Sequence, residues 1–104
     1  MTFKVEFTPE AEADLDRLFD FLLDRAETMD DAMRAYPAIE ALRTAADSHL
    51  SITPYSYRKV GVRPTLRELI VPFDSTGYIL RFDIRTPELV LVIGARHQRE
   101  EDFH

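Results

Sequence analysis

The last part of the chain, residues 67–103, constrains the fold most, because short apolar or aromatic segments alternate there with turn sequences. The apolar segments lie at residues 69–71, 78–84 and 89–95, and the turn sequences at residues 74–77 and 86–88. Segments of this length, joined by turns containing Asp, Ser, Gly and Pro, favour antiparallel pairing of consecutive strands. The region therefore predicts a three-stranded meander. Its third strand is apolar on both faces and is expected to be central and buried.

The first half of the chain has the pattern of one short strand followed by helices. Residues 3–7 alternate apolar and charged side chains, as a half-buried strand does. Thr8 is suited to cap the helix that follows, and Pro9 suits its first turn, where a missing N–H costs nothing. This helix is expected to end near Arg25 or Ala26. Its apolar stripe consists of Ala11, Leu15, Leu18, Phe19, Leu22 and Leu23.

A second helix is predicted to begin near Thr28 and to form an antiparallel hairpin with the first. Pro37 lies inside its pattern and predicts a kink, or a fresh helix start near Ala35. Met29 and Met33 are expected to fill gaps in the core.

The predicted order of elements is β-α-α-β-β-β, an α+β fold in which a helical hairpin packs on a mostly antiparallel four-stranded sheet. Residues 51–64 contain two prolines and a glycine and are expected to be irregular. A chain of 104 residues is long enough for one core, so residues 1–104 are expected to form a single domain.

Composition argues against several classes of protein. The chain has no cysteine, which excludes a disulfide framework and cysteine-ligated metal sites. The three histidines, His49, His97 and His104, lack the spacing of a ligand pair, so neither a metal nor a cofactor is expected. No apolar segment approaches the roughly 18 residues of a membrane span, and no signal peptide is recognisable. A cytoplasmic protein is therefore expected.

Charge is distributed unevenly along the chain. The net charge is −6, and residues 1–50 contain twelve acidic and five basic side chains. Such acidity argues against tight nonspecific binding of nucleic acid, which depends on neutralising phosphates. A local basic cluster at Arg58, Lys59, Arg63 and Arg67 is either an ordinary basic loop or a contact for phosphate or an acidic partner.

Four short motifs follow one another along the chain. Thr-Pro-Glu-Ala at residues 8–11 opens the helical hairpin, and R-E-L-x-x-P-F, G-Y-I-L-R-F and R-H-Q-R-E-E-D-F lie at residues 67–73, 77–82 and 96–103. In this order and spacing they resemble the RelE/ParE superfamily of small toxins from bacterial type II toxin–antitoxin systems. The resemblance covers essentially the whole chain, and the R-H-Q-R-E ending is closer to ParE-like members.

The resemblance implies a toxin that acts in one of two ways. ParE-like members inhibit DNA gyrase by binding, whereas RelE-like members are ribosome-dependent endoribonucleases that cleave mRNA in the ribosomal A site. In both cases a cognate antitoxin neutralises the toxin, usually by wrapping a flexible segment over it, so an antitoxin partner is expected. A third alternative is a degenerate relative without toxicity.

The groups that the RelE-like pattern implies are only partly present, which favours the ParE-like activity and a protein that is not an enzyme. Where the pattern has lysines around the first meander strand, this chain has Arg67 and Glu68. Ile79 stands where an arginine is implied after the aromatic start of the second strand. Phe103, at about the position of a C-terminal tyrosine, has no hydroxyl to donate a proton.

His97 falls at about the position of a late arginine in the RelE-like pattern, with Arg96 and Arg99 beside it. If the chain is a ribonuclease, His97, Arg99 and Arg67 are the catalytic candidates, since imidazole is a general acid or base near neutral pH. The alternative is that His97 caps or packs against the end of a strand.

The second meander strand carries a polar face. Arg81, Asp83 and Arg85 share one face with Ile79, and this face is expected to point away from the helices. It is either a docking surface for an antitoxin or target, or a solvated face on which Arg81 pairs with an acid. The partner-binding candidates are Arg67, Arg81, Arg96, His97 and Arg99.

Overall fold

A computed structural model describes residues 2–73 and 76–99 as helices packed against one face of a five-stranded sheet. The elements, in chain order, are β1 (Lys4–Phe7), α1 (Pro9–Arg25), α2 (Met29–Met33), α3 (Ala35–Leu50), a short 3-10 helix (Pro54–Ser56), β2 (Arg58–Lys59), β3 (Leu66–Phe73), β4 (Thr76–Thr86) and β5 (Leu89–His97). The predicted α+β class is confirmed.

The sheet has the strand order β1-β5-β4-β3-β2. The predicted meander is confirmed, because β4 pairs antiparallel with both β3 and β5. β1 runs parallel to β5, from Lys4 beside Leu89 to Phe7 beside Val92. The sheet has five strands where four were expected. The additional strand is β2, which lies within the stretch predicted to be irregular. Its two residues give no period-2 pattern, and Gly61 turns the chain there with a φ of 66°.

The helix boundaries follow local chemistry. Thr8 caps α1 as predicted: its Oγ1 accepts the N–H of Ala11 at 3.2 Å. Pro37 falls in the first turn of α3, where its missing N–H leaves no bond unmade, so the fresh start expected near Ala35 is confirmed. In the described part of the chain no helix has both the length and the apolar character that a membrane crossing requires.

The core lies between the helices and the sheet. Its largest fully buried side chains are Tyr78, Phe82, Leu15, Leu18, Leu42, Leu50, Leu80, Val90, Val92 and Pro54. The core role predicted for Met29 and Met33 is wrong, since these side chains are 75% and 67% exposed. Their helix, α2, has five residues and buries none of them. Leu23, placed in the predicted stripe of α1, is also exposed.

Candidate functional site

A β-bulge in β5 decides which side chains reach the helices. Val92 pairs with Phe82 and Ala95 with Leu80, so β5 contains one residue more than β4 between these pairs. Val92 and Ala95 are therefore both buried in the core, although they are three residues apart. Two positions beyond Ala95, His97 follows on the same face of the sheet, and Arg96 lies on the opposite one.

β1 pairs with the first half of β5, and side chains of α1 contact its second half. The pairing of β1 ends where Phe7 meets Val92. Beyond that point, side chains from α1 bind the backbone of Ala95. The Ala95 N–H donates to Asp14 Oδ2 at 2.9 Å, and Arg17 Nη2 donates to the Ala95 carbonyl at 3.3 Å. Buried backbone groups require such partners, so these two side chains fix α1 against the end of β5.

A cleft of about 390 Å³ opens between α1 and the end of β5. Its lining residues are Arg17, Phe21, Arg25, His97 and Arg99. The three residues from α1 are four positions apart and therefore lie on one helix face. The Arg25 guanidinium lies 4.8 Å from the centre of the Phe21 ring, a cation–π distance, and Phe21 is 45% exposed. The cleft thus combines three guanidinium groups with an accessible aromatic ring.

His97 is held in place by both ring nitrogens. Its Nδ1 accepts the backbone N–H of Arg99 at 3.1 Å, and its Nε2 is hydrogen-bonded to the Thr76 hydroxyl. Since Nδ1 is an acceptor, the proton of the neutral ring is on Nε2, which donates to Thr76. The ring also meets Tyr78 edge-on at 5.4 Å between centroids. This geometry is that of a residue that packs and caps the end of a strand.

A second, mainly apolar groove of about 240 Å³ adjoins the cleft, with Arg25 lining both. It lies between the tip of the helical hairpin and the β3–β4 end of the sheet. Its lining residues are Leu22, Arg25, Ala26, Asp31, Arg34, Ala35, Ala38, Phe73, Thr76 and Tyr78. The cationic cleft and this groove form one surface, which we call the α1 surface.

Arg67 serves the scaffold. Its Nη1 donates to the carbonyls of Tyr55 and Tyr57, both at 2.8 Å, and its Nε donates to the carbonyl of Pro64 at 2.9 Å. The guanidinium also lies 5.3 Å from the centre of the Tyr55 ring. Arg67 therefore holds the irregular segment between α3 and β3 and lies apart from the cleft.

Arg81 lies on the face of the sheet away from the helices, as predicted, and forms a cross-strand ion pair there. Its Nη2 is 2.9 Å from Oε2 of Glu68, whose Oε1 is 2.8 Å from Nη2 of Arg58. Glu68 is only 7% exposed. Burial would raise the pKa of Glu68, but the hydrogen bonds from Arg58 and Arg81 outweigh it and hold that pKa below its ordinary value.

The basic cluster of residues 58–67 is partly neutralised by acids from other strands. Besides the Arg58–Glu68 pair, Arg63 Nη2 lies 2.9 Å from Oδ2 of Asp83, which is 4% exposed. Arg85 reaches the same carboxylate oxygen at 3.4 Å. Cross-strand pairing therefore brings acidic side chains to a segment that contains none of its own.

Of the five predicted partner-binding residues, the structure places His97 and Arg99 together in the cleft. Arg96 lies on the opposite sheet face beside Ile79, the face that also carries Arg81. Arg67 is separate from both groups. Sequence reasoning missed Arg17, Phe21 and Arg25, although their four-residue spacing on a helix was a usable signal.

The cleft is suited to binding anions. Guanidinium groups stay protonated, so they hold carboxylates or phosphates but do not accept protons. Within residues 2–73 and 76–99, no group of three or more His, Asp or Glu side chains is placed to hold a metal ion.

Comparison with known proteins gives the family. Residues 5–102 match the sequence model of the family described as "ParE toxin of type II toxin-antitoxin system, parDE". Toxin RelE1 of Caulobacter vibrioides is 38% identical over 82 residues, 79% of this chain and 80% of that toxin. Toxin RelE3 of the same organism is 31% identical over 96 residues, 92% of this chain and 95% of that toxin.

The fold has a solved counterpart. A chain from the structure titled "Chromosomal ParDE TA system from P. aeruginosa" superposes with a TM-score of 0.69, covering 95% of this chain and 97% of that chain. The two are 16% identical, so this likeness concerns the fold. Fold and sequence together define a toxin of the RelE/ParE superfamily, as predicted. The chain belongs to the ParE toxin family of type II toxin–antitoxin systems, and membership implies an antitoxin partner.

Proposed function

We propose that this toxin inhibits DNA gyrase by binding, without catalysis, and that it works in the cytoplasm as a single domain. The proposal depends mainly on the hydrogen bonding of the His97 ring. Both of its ring nitrogens are engaged, one by Arg99 and one by Thr76. A general base needs a nitrogen directed at its substrate, so this geometry supports a structural role for the imidazole.

Two further positions of the ribonuclease pattern support the same conclusion. Arg67, at the first meander strand, donates to three backbone carbonyls. Phe103 provides no hydroxyl at the expected tyrosine position. What remains is the α1 surface, whose arginines and Phe21 are suited to gripping an acidic patch of another protein.

A supercoiling assay with purified gyrase tests the proposal. Inhibition should rise with toxin concentration and saturate. Reversing the charge of the cleft with Arg25→Glu and Arg99→Glu should raise the half-inhibitory concentration at least tenfold, because it replaces attraction by repulsion. Lys59→Glu is the matched control, since Lys59 is exposed on the distant strand β2, and it should stay within twofold. Normal supercoiling at saturating wild-type toxin would refute the proposal.

A ribosome-dependent endoribonuclease is the second candidate. Two observations favour it: the Caulobacter relatives carry the name RelE, and His97 borders a cleft with three arginines. On this alternative, mRNA is cut in the ribosomal A site and the cuts disappear in His97→Ala. Toeprinting on purified ribosomes gives the answer, and cleavage that survives the substitution would remove His97 from the mechanism.

A further inference from the structure

The cationic cleft between α1 and the end of β5 has the dimensions and the lining of a small-molecule site. Its volume of about 390 Å³ lies within the range of such sites, roughly 300–1,000 Å³. Three guanidinium groups and one aromatic ring line it, and no acidic side chain is among the lining residues that the structure describes. A chain with a net charge of −6 thus contains a concave cationic site, which favours a bound anion.

Contacts within the protein hold two of the arginines in place before a ligand binds. On the α1 side, Arg17 Nη2 donates to the Ala95 carbonyl at 3.3 Å. On the β5 side, the backbone N–H of Arg99 donates to His97 Nδ1 at 3.1 Å. Binding groups that are already ordered lose less conformational freedom when a ligand binds, so this arrangement suits a small charged molecule.

Phe21 adds a surface for an aromatic group. The Arg25 guanidinium lies over its ring, 4.8 Å from the centre, and the side chain is 45% exposed. A guanidinium that stacks on a ring keeps its in-plane N–H groups, which can donate to a phosphate. The exposed part of the ring can stack a planar base, since every base has a π face. The cleft therefore offers contacts for a phosphate and for a base side by side.

The neighbouring groove on α1 argues for a short ligand and against a nucleic-acid strand. This open groove, of about 550 Å³, shares Arg17 and Phe21 with the cleft. Its other lining residues are Ala13, Asp16, Asp20 and Asp24. The three aspartates are four positions apart, so they form one exposed row along the helix. A strand running along α1 carries a negative charge at every nucleotide and is repelled by this row, whereas a short ligand avoids it.

We propose that the cleft binds a nucleoside diphosphate. Its phosphates accept hydrogen bonds from Arg25 and Arg99, Arg17 adds a third positive charge, and its base stacks on Phe21. A terminal phosphate carries about −1.5 to −2 charges at pH 7 and the inner phosphate adds one more, so the ligand approximately balances the three guanidinium groups. Ligand binding does not depend on the target of the toxin. Its consequence rests on the proposed function: because gyrase is proposed to bind the same α1 surface, an occupied cleft excludes gyrase.

Equilibrium dialysis of the purified toxin against ADP tests the proposal. The buffer contains no magnesium, so that the phosphates remain available to the arginines. Inorganic phosphate and adenosine serve as the two halves of the probe. We expect ADP to bind at least tenfold more tightly than inorganic phosphate, because the base stacks on Phe21, and at least tenfold more tightly than adenosine, which lacks the phosphates. The absence of saturable ADP binding at millimolar concentrations would overturn the proposal.

Substitutions in the cleft separate the contacts to the base from those to the phosphates. Phe21→Leu should weaken ADP binding at least fivefold but leave inorganic phosphate within twofold, because it removes the ring and keeps the arginines. Tyr36→Leu is the matched control, since Tyr36 is 65% exposed but is not among the residues that line the cleft. It should leave ADP binding within twofold. Circular dichroism checks that each variant is folded.

A second pair of variants tests the phosphate contacts. Arg99→Gln should weaken both ADP and inorganic phosphate at least fivefold, because it removes a charged donor and keeps the backbone N–H that binds His97. Lys59→Gln is the matched control, since it removes an exposed positive charge on the distant strand β2. It should leave both ligands within twofold. Equal losses in the two variants would reduce the effect to net charge and contradict the proposal.

Two further results would overturn the assignment of the ligand. If Phe21→Leu leaves ADP binding unchanged, the cleft holds an anion and no base. If single-stranded oligoadenylate binds at least tenfold more tightly than ADP and displaces it, the cleft belongs to a nucleic acid. Every readout is the binding of a ligand to the toxin alone, so a failure of gyrase inhibition leaves these results unaffected.

Discussion

Replacing Glu68 with Gln is the most informative test of the sheet face away from the helices. The carboxylate is 7% exposed and accepts hydrogen bonds from Arg58 at 2.8 Å and Arg81 at 2.9 Å. Glutamine keeps the shape of the side chain but removes its charge and one of its two acceptor oxygens. The substitution therefore weakens one of the arginine contacts and removes the negative charge that both cations face at this position.

The size of the effect follows from the exposure of the two arginines. The Arg58 side chain is 67% exposed, so its pair contributes at most about 1 kcal/mol. The Arg81 side chain is 30% exposed, and a hydrogen bond between charged groups there is worth roughly 1.5 kcal/mol. We expect Glu68→Gln to lower the free energy of unfolding by about 2 kcal/mol at pH 7. For a chain of this size, that is a fall in Tm of roughly 10 °C.

The effect must also depend on pH. The pKa of Glu68 is lower in the folded protein than in the unfolded chain, so its contribution is complete above the ordinary glutamate pKa of about 4.3. It is lost as the pH falls through the folded value. The difference between wild type and Glu68→Gln, measured by urea denaturation, should therefore be constant from pH 7 to 5.5 and shrink below pH 4.

Glu12→Gln is the matched control. Glu12 pairs with Arg43 at 3.0 Å, and the hydrogen bond from Arg43 lowers its pKa, but both side chains are about 40% exposed. Its loss should cost under about 1 kcal/mol. If Glu68→Gln costs no more than Glu12→Gln, or if its effect persists undiminished at pH 3, the reasoning about the buried carboxylate is refuted.

Two further substitutions test the contacts that hold α1. Asp14→Ala leaves the Ala95 N–H without its acceptor and should cost about 1–3 kcal/mol in urea unfolding, with faster exchange of the Ala95 amide; an unchanged exchange rate would contradict this. Thr8→Ala removes the α1 cap and should cost about 1 kcal/mol, whereas Thr8→Ser, which keeps the hydroxyl, should stay near wild type.

Local chemistry made much of the fold predictable. The meander followed from turns and strands whose signals lie within a few residues of each other. The start of α1 followed from Thr8 and Pro9, and the start of α3 from the position of Pro37. Strand β2 was missed because its two residues pair through backbone hydrogen bonds, and two residues are too few to show a side-chain pattern.

The candidate site was less predictable, because its geometry depends on contacts between distant segments. His97 faces α1 only because a bulge after Val92 shifts the strand, and the one sequence signal of this bulge is Gly94, an isolated glycine within the apolar run. Arg17 and Arg25 lie in the first half of the chain, where twelve acidic side chains outnumber five basic ones and no basic cluster stands out. The partners of the basic cluster, Glu68 and Asp83, became visible only with the strand register. The roles of the predicted site residues in binding or catalysis stay predictions.

The joining of β1 and α1 to β5 has a consequence for biosynthesis. The hydrogen bonds from Thr8 to Val92 and from Ala95 to Asp14 span 84 and 81 positions. During translation, β1 and α1 therefore cannot complete their packing until β5, the last of the described strands, has been synthesised. The cationic cleft, built from both ends, assembles only after β5 has left the ribosomal tunnel. An incomplete chain therefore lacks the cationic cleft, and an antitoxin meets this cleft only on the folded toxin.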